Sequence, residues 1–91
     1  MLAIGIRRVI GNSMSPYLND GRLIIVSRSK KYKVGDVVGF RFDSQILIKR
    51  VSRVKDSSFY VLGDNSNNSL DSRKLGWIDS KNITFKLRFR L

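Results

Sequence analysis

Hydrophobic and polar residues alternate along much of the chain with a period of two, the spacing of a strand that buries one face. The alternation is clearest in QILIKRVSRV, residues 45–54, and in ITFKLRFRL, residues 83–91. In the second run Phe85, Leu87, Phe89 and Leu91 share one face, while Lys86, Arg88 and Arg90 share the other. The pattern predicts one packed side and one wet side. Shorter runs rich in β-branched residues predict strands over 4–10, 22–28, 37–42 and 59–63, the first of them ending at Gly11. Asn19-Asp20-Gly21, Asp43-Ser44 and the KDSS stretch at 55–58 carry turn chemistry. MSPYL, residues 14–18, predicts one helical turn with Pro16 in its first turn. SKKYKVGD, residues 29–36, is a polar and basic connection, and DNSNNSLDSR, residues 64–73, is a long polar loop held between apolar segments. The expectation is a small all-β domain of short, mostly antiparallel strands, with no long helix and no internal repeat.

With 91 residues and 42% hydrophobic content, the chain suits a single domain, 1–91, with a modest core. It contains no cysteine, histidine or glutamate. Disulfides, thiolate chemistry, zinc–thiolate centres and histidine-based triads are excluded. Any general base must be Lys, Asp or Tyr. The formal net charge of +11 attracts anionic surfaces, whether nucleic acid or lipid, and gives an expectation of weak binding to them. The densest basic patch is Arg28, Lys30, Lys31 and Lys33. No stretch approaches the ~20 apolar residues of a membrane span. The opening MLAIGIRRVIG runs apolar to basic, the reverse of a secretory signal. These features lead us to expect no transmembrane anchor and a cytoplasmic, or membrane-peripheral, location.

Three stretches could carry chemistry. Ser13 follows a strand, with Gly11 two positions earlier, where the backbone can bend sharply and present a hydroxyl. Its own N–H can face an oxyanion. Serine is also common in ordinary turns, and Met14 reads by default as core filling. Lys49 lies mid-strand on the face of Leu47 and Val51. If that face is buried, desolvation lowers the lysine pKa toward that of a usable base. If Ile46 and Ile48 form the inner face, Lys49 is solvated with its stem along the sheet. Periodicity leaves both open. The loop GDNSNNSLDSR offers Asp64 or Asp71 as a partner for Arg73, and Ser69 as a hydroxyl that could orient an amine. Its plain reading is an Asn/Ser surface loop. It lacks the central glycine and closing glutamate of an EF-hand.

Taken together and in order, these stretches resemble the catalytic core of the type I signal peptidase family, whose relatives include the self-cleaving LexA-like repressors. The family's serine–methionine–x–proline box is matched by Ser13, Met14, Ser15 and Pro16, followed by Leu18 and the turn glycine Gly21. Gly35-Asp36-Val37-Val38 and Phe40 match its next strand, and Lys49-Arg50-Val51 match its lysine box. Gly63-Asp64-Asn65, Ser69, Asp71-Ser72-Arg73 and Gly76 match its last box. The resemblance implies a signal-peptidase/LexA-like β fold and a serine endopeptidase acting on a protein or peptide substrate. Ser13 would be the nucleophile and Lys49 the general base. Ser69 would hold the lysine amine, and Asp64, Asp71 and Arg73 would brace the loop. It implies no metal and no cofactor. Tyr17, Arg22 and Ser66 depart from the usual residues. Gly11 stands where some relatives place an oxyanion-hole serine, leaving the hole to the Ser13 N–H. The absence of a membrane span and of a large insertion suggests a minimal soluble form, of the kind that removes the leader of nickel superoxide dismutase. The alternative is a basic β domain that binds nucleic acid or a partner without catalysis.

Overall fold

Among the described residues, seven strands form one antiparallel sheet in the order β1-β2-β7-β3-β4-β5-β6. They are β1 (Ile4–Arg8), β2 (Leu23–Ser27), β3 (Val37–Phe42), β4 (Gln45–Lys55), β5 (Ser58–Leu62), β6 (Ile78–Asp79) and β7 (Ile83–Arg90). A single-turn helix, α1 (Ser72–Leu75), and two 3₁₀ turns, Ser66–Asn68 and Ser80–Asn82, complete the elements. The structure, a computed structural model, describes residues 4–91 apart from the Asn68 side chain. The fold is a small all-β domain, as the alternation implies.

Two hairpins build the centre of the sheet. The β3–β4 register closes with Phe42 opposite Gln45, and the β4–β5 register with Lys55 opposite Ser58. Each leaves a two-residue turn, and such turns need left-handed backbone. Asp43 (φ 53°) and Asp56 (φ 44°) supply it, in keeping with the tolerance of aspartate for that region.

The sheet carries a core on each side. Val9, Met14, Leu18, Ile24, Val26, Val37 and Phe85 form one cluster. Val38, Phe40, Val51, Phe59, Val61 and Ile78 form the other. The adjacent residues Val37 and Val38 thus serve different cores, which is why VVGF in β3 is apolar without alternation. Where Phe85 crosses β3, its ring lies on Gly39: a Cβ there would meet the ring at 2.2 Å.

Two expectations need correction. The apolar face of the last strand is not buried throughout: Phe85 is 5% exposed, but Phe89 is 67% and Leu91 57% exposed. Val26 pairs with Leu87 while Ile25 pairs with Phe89, so Arg88 is an extra residue in the ladder. The bulge moves Phe89 to the opposite face. The segment 14–18 is a run of turns rather than a turn of helix. Ser15 N–H donates to the Asn12 carbonyl at 3.1 Å and Leu18 N–H to the Met14 carbonyl at 2.8 Å, with a cis Ser15–Pro16 bond between them. The buried Met14 and Leu18 side chains anchor the run, so tertiary packing sets its path.

Candidate active site

The site begins where β1 gives way to a sharp bend. Val9 is tied to the following strand by its N–H to the Arg22 carbonyl at 2.8 Å, and the Gly21 N–H returns to the Val9 carbonyl at 2.7 Å. Gly11 then turns the chain with φ +86°, a conformation other residues rarely adopt. Its N–H donates to Asp20 Oδ1 at 2.7 Å. Met14 fills the core immediately after, so Ser13 sits between a flexible glycine bend and a fixed apolar anchor. Its carbonyl accepts the Asn65 N–H at 2.8 Å. Among the described residues its own N–H meets no acceptor, and it is available to a developing oxyanion.

Lys49 approaches from β4, opposite Val38. Leu47 and Val51, on its own face, pack in the second core, while Ile48 on the other face packs against the first. Both faces of β4 are therefore covered here, and burying Lys49 does not require exposing Ile48. Lys49 is 4% exposed, and its Nζ donates to Ser13 Oγ at 2.8 Å. Burial pushes the lysine pKa below its usual value, with the Asp71 carboxylate pulling partly the other way.

Asp71 is wholly buried. Burial alone would raise its pKa, but hydrogen bonds outweigh that and hold the carboxyl well below the usual range. The Arg73 guanidinium donates at 2.9 Å to both oxygens, the Gly63 N–H at 2.8 Å and the Arg73 N–H at 3.1 Å. The Arg73 N–H bond also caps α1, which ends at Gly76 with φ 76°. Ser69 Oγ donates to Asp71 Oδ2 at 2.9 Å. The expected contact of Ser69 with the Lys49 amine is not made among the described residues: the amine is bonded to Ser13. Asp64 does not reach Arg73. It pairs with Arg50 through two parallel bonds of 2.9 and 2.8 Å, and Arg50 Nη1 also donates to the Gly35 carbonyl at 2.9 Å.

Two residues matter here that the sequence reading gave no separate role. Asn65 grips the nucleophile segment twice, by the bond to the Ser13 carbonyl and by its Nδ2 to the Asn12 carbonyl at 3.1 Å. Gly63 lies so close that a Cβ would be 2.7 Å from the Ser13 carbonyl oxygen and 2.1 Å from Ser69 Oγ. The available signal was the Gly63-Asp64-Asn65 run at the end of a strand, a spot where glycine often marks close backbone approach. Among the described residues no cluster of three or more Asp, Glu, His or Cys could hold a metal.

A cavity of about 400 Å³ opens in front of the Ser13–Lys49 pair, lined chiefly by Arg7, Val9, Met14, Ile48 and Phe85. A hydroxyl at a bend, a buried amine beside it and an open cleft form a constellation suited to nucleophilic attack. The profile of the Peptidase S24-like family matches residues 3–81, which takes in Ser13, Lys49 and the cleft residues named above except Phe85. The chain belongs to the Peptidase S24-like family. No curated protein gives a significant match to it. The S24-like match runs from before β1 through β6 and stops before β7, so β7 lies outside the matched region. Among the described residues, no helix of this S24-like chain is long and apolar enough to cross a membrane.

Proposed function

We propose that the chain is a serine endopeptidase that cuts a leader or signal segment from a protein substrate, with Ser13 as nucleophile and Lys49 as general base. The observation that carries the reading is the 2.8 Å contact between Lys49 Nζ and Ser13 Oγ, made by a lysine that is almost wholly buried. In water an amine near pKa 10.4 holds its proton at neutral pH and cannot serve as a base. Burial shifts Lys49 in the direction that frees its lone pair.

In the proposed reaction the neutral Lys49 amine takes the Ser13 proton as Oγ attacks the scissile carbonyl. The Ser13 N–H donates to the resulting oxyanion. Collapse breaks the C–N bond, and Lys49 returns the proton to the leaving amine. Lys49 then removes a proton from water, whose oxygen attacks the acyl ester; as the ester C–O bond breaks, Lys49 passes that proton to Ser13 Oγ, restoring the hydroxyl and the neutral amine. Asp71, Arg73 and Ser69 position the loop behind the base rather than touch the reacting atoms.

Substrate would lie extended in the cleft, using backbone that lacks a strand partner. β1 is the end strand of the sheet, and β5 pairs with β4 only from Arg50 to Lys55, leaving Gln45–Lys49 with one open side. The test is mass spectrometry of a diverse peptide mixture incubated with the wild type, S13A and K49A. New termini produced by the wild type and by neither variant are expected. Termini produced equally by all three would remove the assignment.

A further inference from the structure

In β1 the isoleucines turn away from the core, and Arg7 and Arg8 are exposed as well. Ile4 and Ile6 point outward and are 67% and 61% exposed. Arg7 pairs with Ile24, which is fully buried, so the arginine lies on the core-facing side of the strand. There its guanidinium sits 5.7 Å above the ring of Phe85, over the apolar floor of the cleft that holds Ser13 and Lys49.

The guanidinium has little to hold it within the chain. Among the described residues its one hydrogen bond is a long contact of 3.5 Å to the neighbouring Ile6 carbonyl. None of the cleft-lining residues is acidic. The ion pairs among the described residues go elsewhere: Asp64 to Arg50, Asp71 to Arg73 and Asp36 to Lys86. Arg8, the second guanidinium of the cleft, is already engaged with the Gly21 carbonyl at 3.2 Å. Arg7 is thus a forked, solvent-accessible donor over Phe85 at the cleft, with no acidic partner among the described residues.

We infer that Arg7 selects substrates bearing a carboxylate side chain on the stretch that lies along β1. The inference rests on the proposed peptidase reading for its biological sense, but it concerns binding in the cleft and can be tested apart from cleavage. A guanidinium suits a carboxylate because two N–H bonds can be made in parallel. The Phe85 ring beneath keeps the cation from folding down and shields one side from water. Lys49 is buried and its amine is engaged with Ser13 Oγ, whereas the Arg7 guanidinium is open to the cleft. The surplus of basic residues over the whole chain would bring an acidic segment toward the surface, and Arg7 would fix it in place.

The experiment uses two synthetic peptide pools that are identical except that one carries Glu and Asp where the other carries Gln and Asn. Binding to the S13A protein is read by fluorescence anisotropy, and cleavage of the same pools is read with the wild-type protein. S13A should bind the acidic pool about tenfold more tightly than the amide pool, the scale of one charge-assisted contact. The preference should vanish in S13A/R7M, whose methionine still covers Phe85. It should survive in S13A/R28M, which loses the same charge from an exposed site outside the cleft. S13A/R7K should keep part of it, so the prediction does not rest on one variant folding. Equal binding of the two pools by S13A, or equal losses in R7M and R28M, would overturn the inference in favour of net charge alone. If the wild type cleaves neither pool while the Arg7-dependent preference persists, the peptidase reading falls and the carboxylate site stands.

Discussion

Asn65 donates its backbone N–H to the Ser13 carbonyl at 2.8 Å, joining the loop after β5 to the bend after β1. These two stretches are far apart in sequence but form one unit around Lys49. The loop side of that unit is fixed by Asp71, which takes the Gly63 N–H two residues before Asn65. The position of Ser13 is therefore set from outside its own segment. The Lys49 amine meets a hydroxyl whose segment the loop holds, and the site should be sensitive to changes in that loop.

Gly63→Ala tests that dependence. Gly63 has no unusual φ, so the substitution acts through space rather than backbone strain. The new methyl would meet Ser69 Oγ, which could turn away, and two atoms that cannot, Ser69 Cβ at 2.6 Å and the Ser13 carbonyl oxygen at 2.7 Å. We expect a loss of about 1–3 kcal/mol in stability, typical of overpacking, with a larger loss of cleavage rate as Ser13 shifts. The double variant Gly63→Ala/Ser69→Gly should not recover the rate. Urea unfolding and initial rates on a cleaved peptide would check both; full recovery in the double variant would place the clash on Ser69 alone.

Asp71 should govern acid stability. Its folded pKa lies below the value of about 3.9 for a free aspartate, so the folded state holds the proton less tightly than the unfolded one. The stabilisation is fully present above the unfolded pKa and is lost as pH falls through the folded one. Asp71→Asn should flatten the acid limb of a plot of melting temperature against pH. At neutral pH it should lower stability by about 1–3 kcal/mol, because the buried Gly63 N–H and the Ser69 hydroxyl lose their anionic acceptor. That corresponds to roughly 4–8 °C per kcal/mol for a domain of this size. An unchanged acid limb would mean that other carboxylates set it.

The Arg50–Asp64 pair should matter far less to stability, although its two bonds are as short as those of Asp71. Both side chains are partly exposed, at 32% and 23%, and water screens such pairs. Arg50→Lys keeps the charge and loses the fork, the bond to the Gly35 carbonyl and the stacking over Tyr17 at 4.6 Å. The expected cost is within about 1 kcal/mol, read by chemical denaturation. A loss equal to that of Asp71→Asn would show that the pair is a structural keystone in solution.

Much of the sheet was legible because strand periodicity is local. The β3–β4 and β4–β5 hairpins could be read from alternation and from Asp43 and Asp56 at their turns. Short elements stabilised by distant contacts were harder to read. β6 is two residues long and owes its place to pairing with β5, and α1 depends on the buried Asp71 cap. The bulge at Arg88 left no mark on an unbroken alternation, so the exposure of Phe89 and Leu91 could not be seen. For Lys49 the period of two offered two faces and no means of choosing. The choice came from the sheet being covered on both sides, a property of the whole fold. The order of the motif boxes brought Ser13, Lys49 and Asp71 forward as candidates. The turning of Ser69 toward Asp71 and of Asp64 toward Arg50 depends on which partner lies nearest in space, which spacing does not encode.

Lys49 yields the prediction with the clearest sign. Its folded pKa lies below the usual 10.5. At pH below the folded value the amine is charged in both states, and the folded state bears the cost of burying it. Between the folded value and 10.5 the unfolded chain binds more protons, so stability rises with pH across that window. Lys49→Met removes the titrating group at nearly constant volume. It should raise the melting temperature at neutral pH and abolish the rise toward alkaline pH, while reducing cleavage by about a thousandfold or more. In the wild type, the rate should climb with pH to a midpoint below 10.5 if, as proposed, the neutral amine is the base. Ser13→Ala should lose activity yet keep the stability profile, because the titrating amine remains. Thermal scans over pH for the three proteins, together with pH–rate curves, separate the outcomes. A Lys49→Met protein with the wild-type stability profile would mean that the amine is hydrated in solution, and the base would then have to be sought elsewhere.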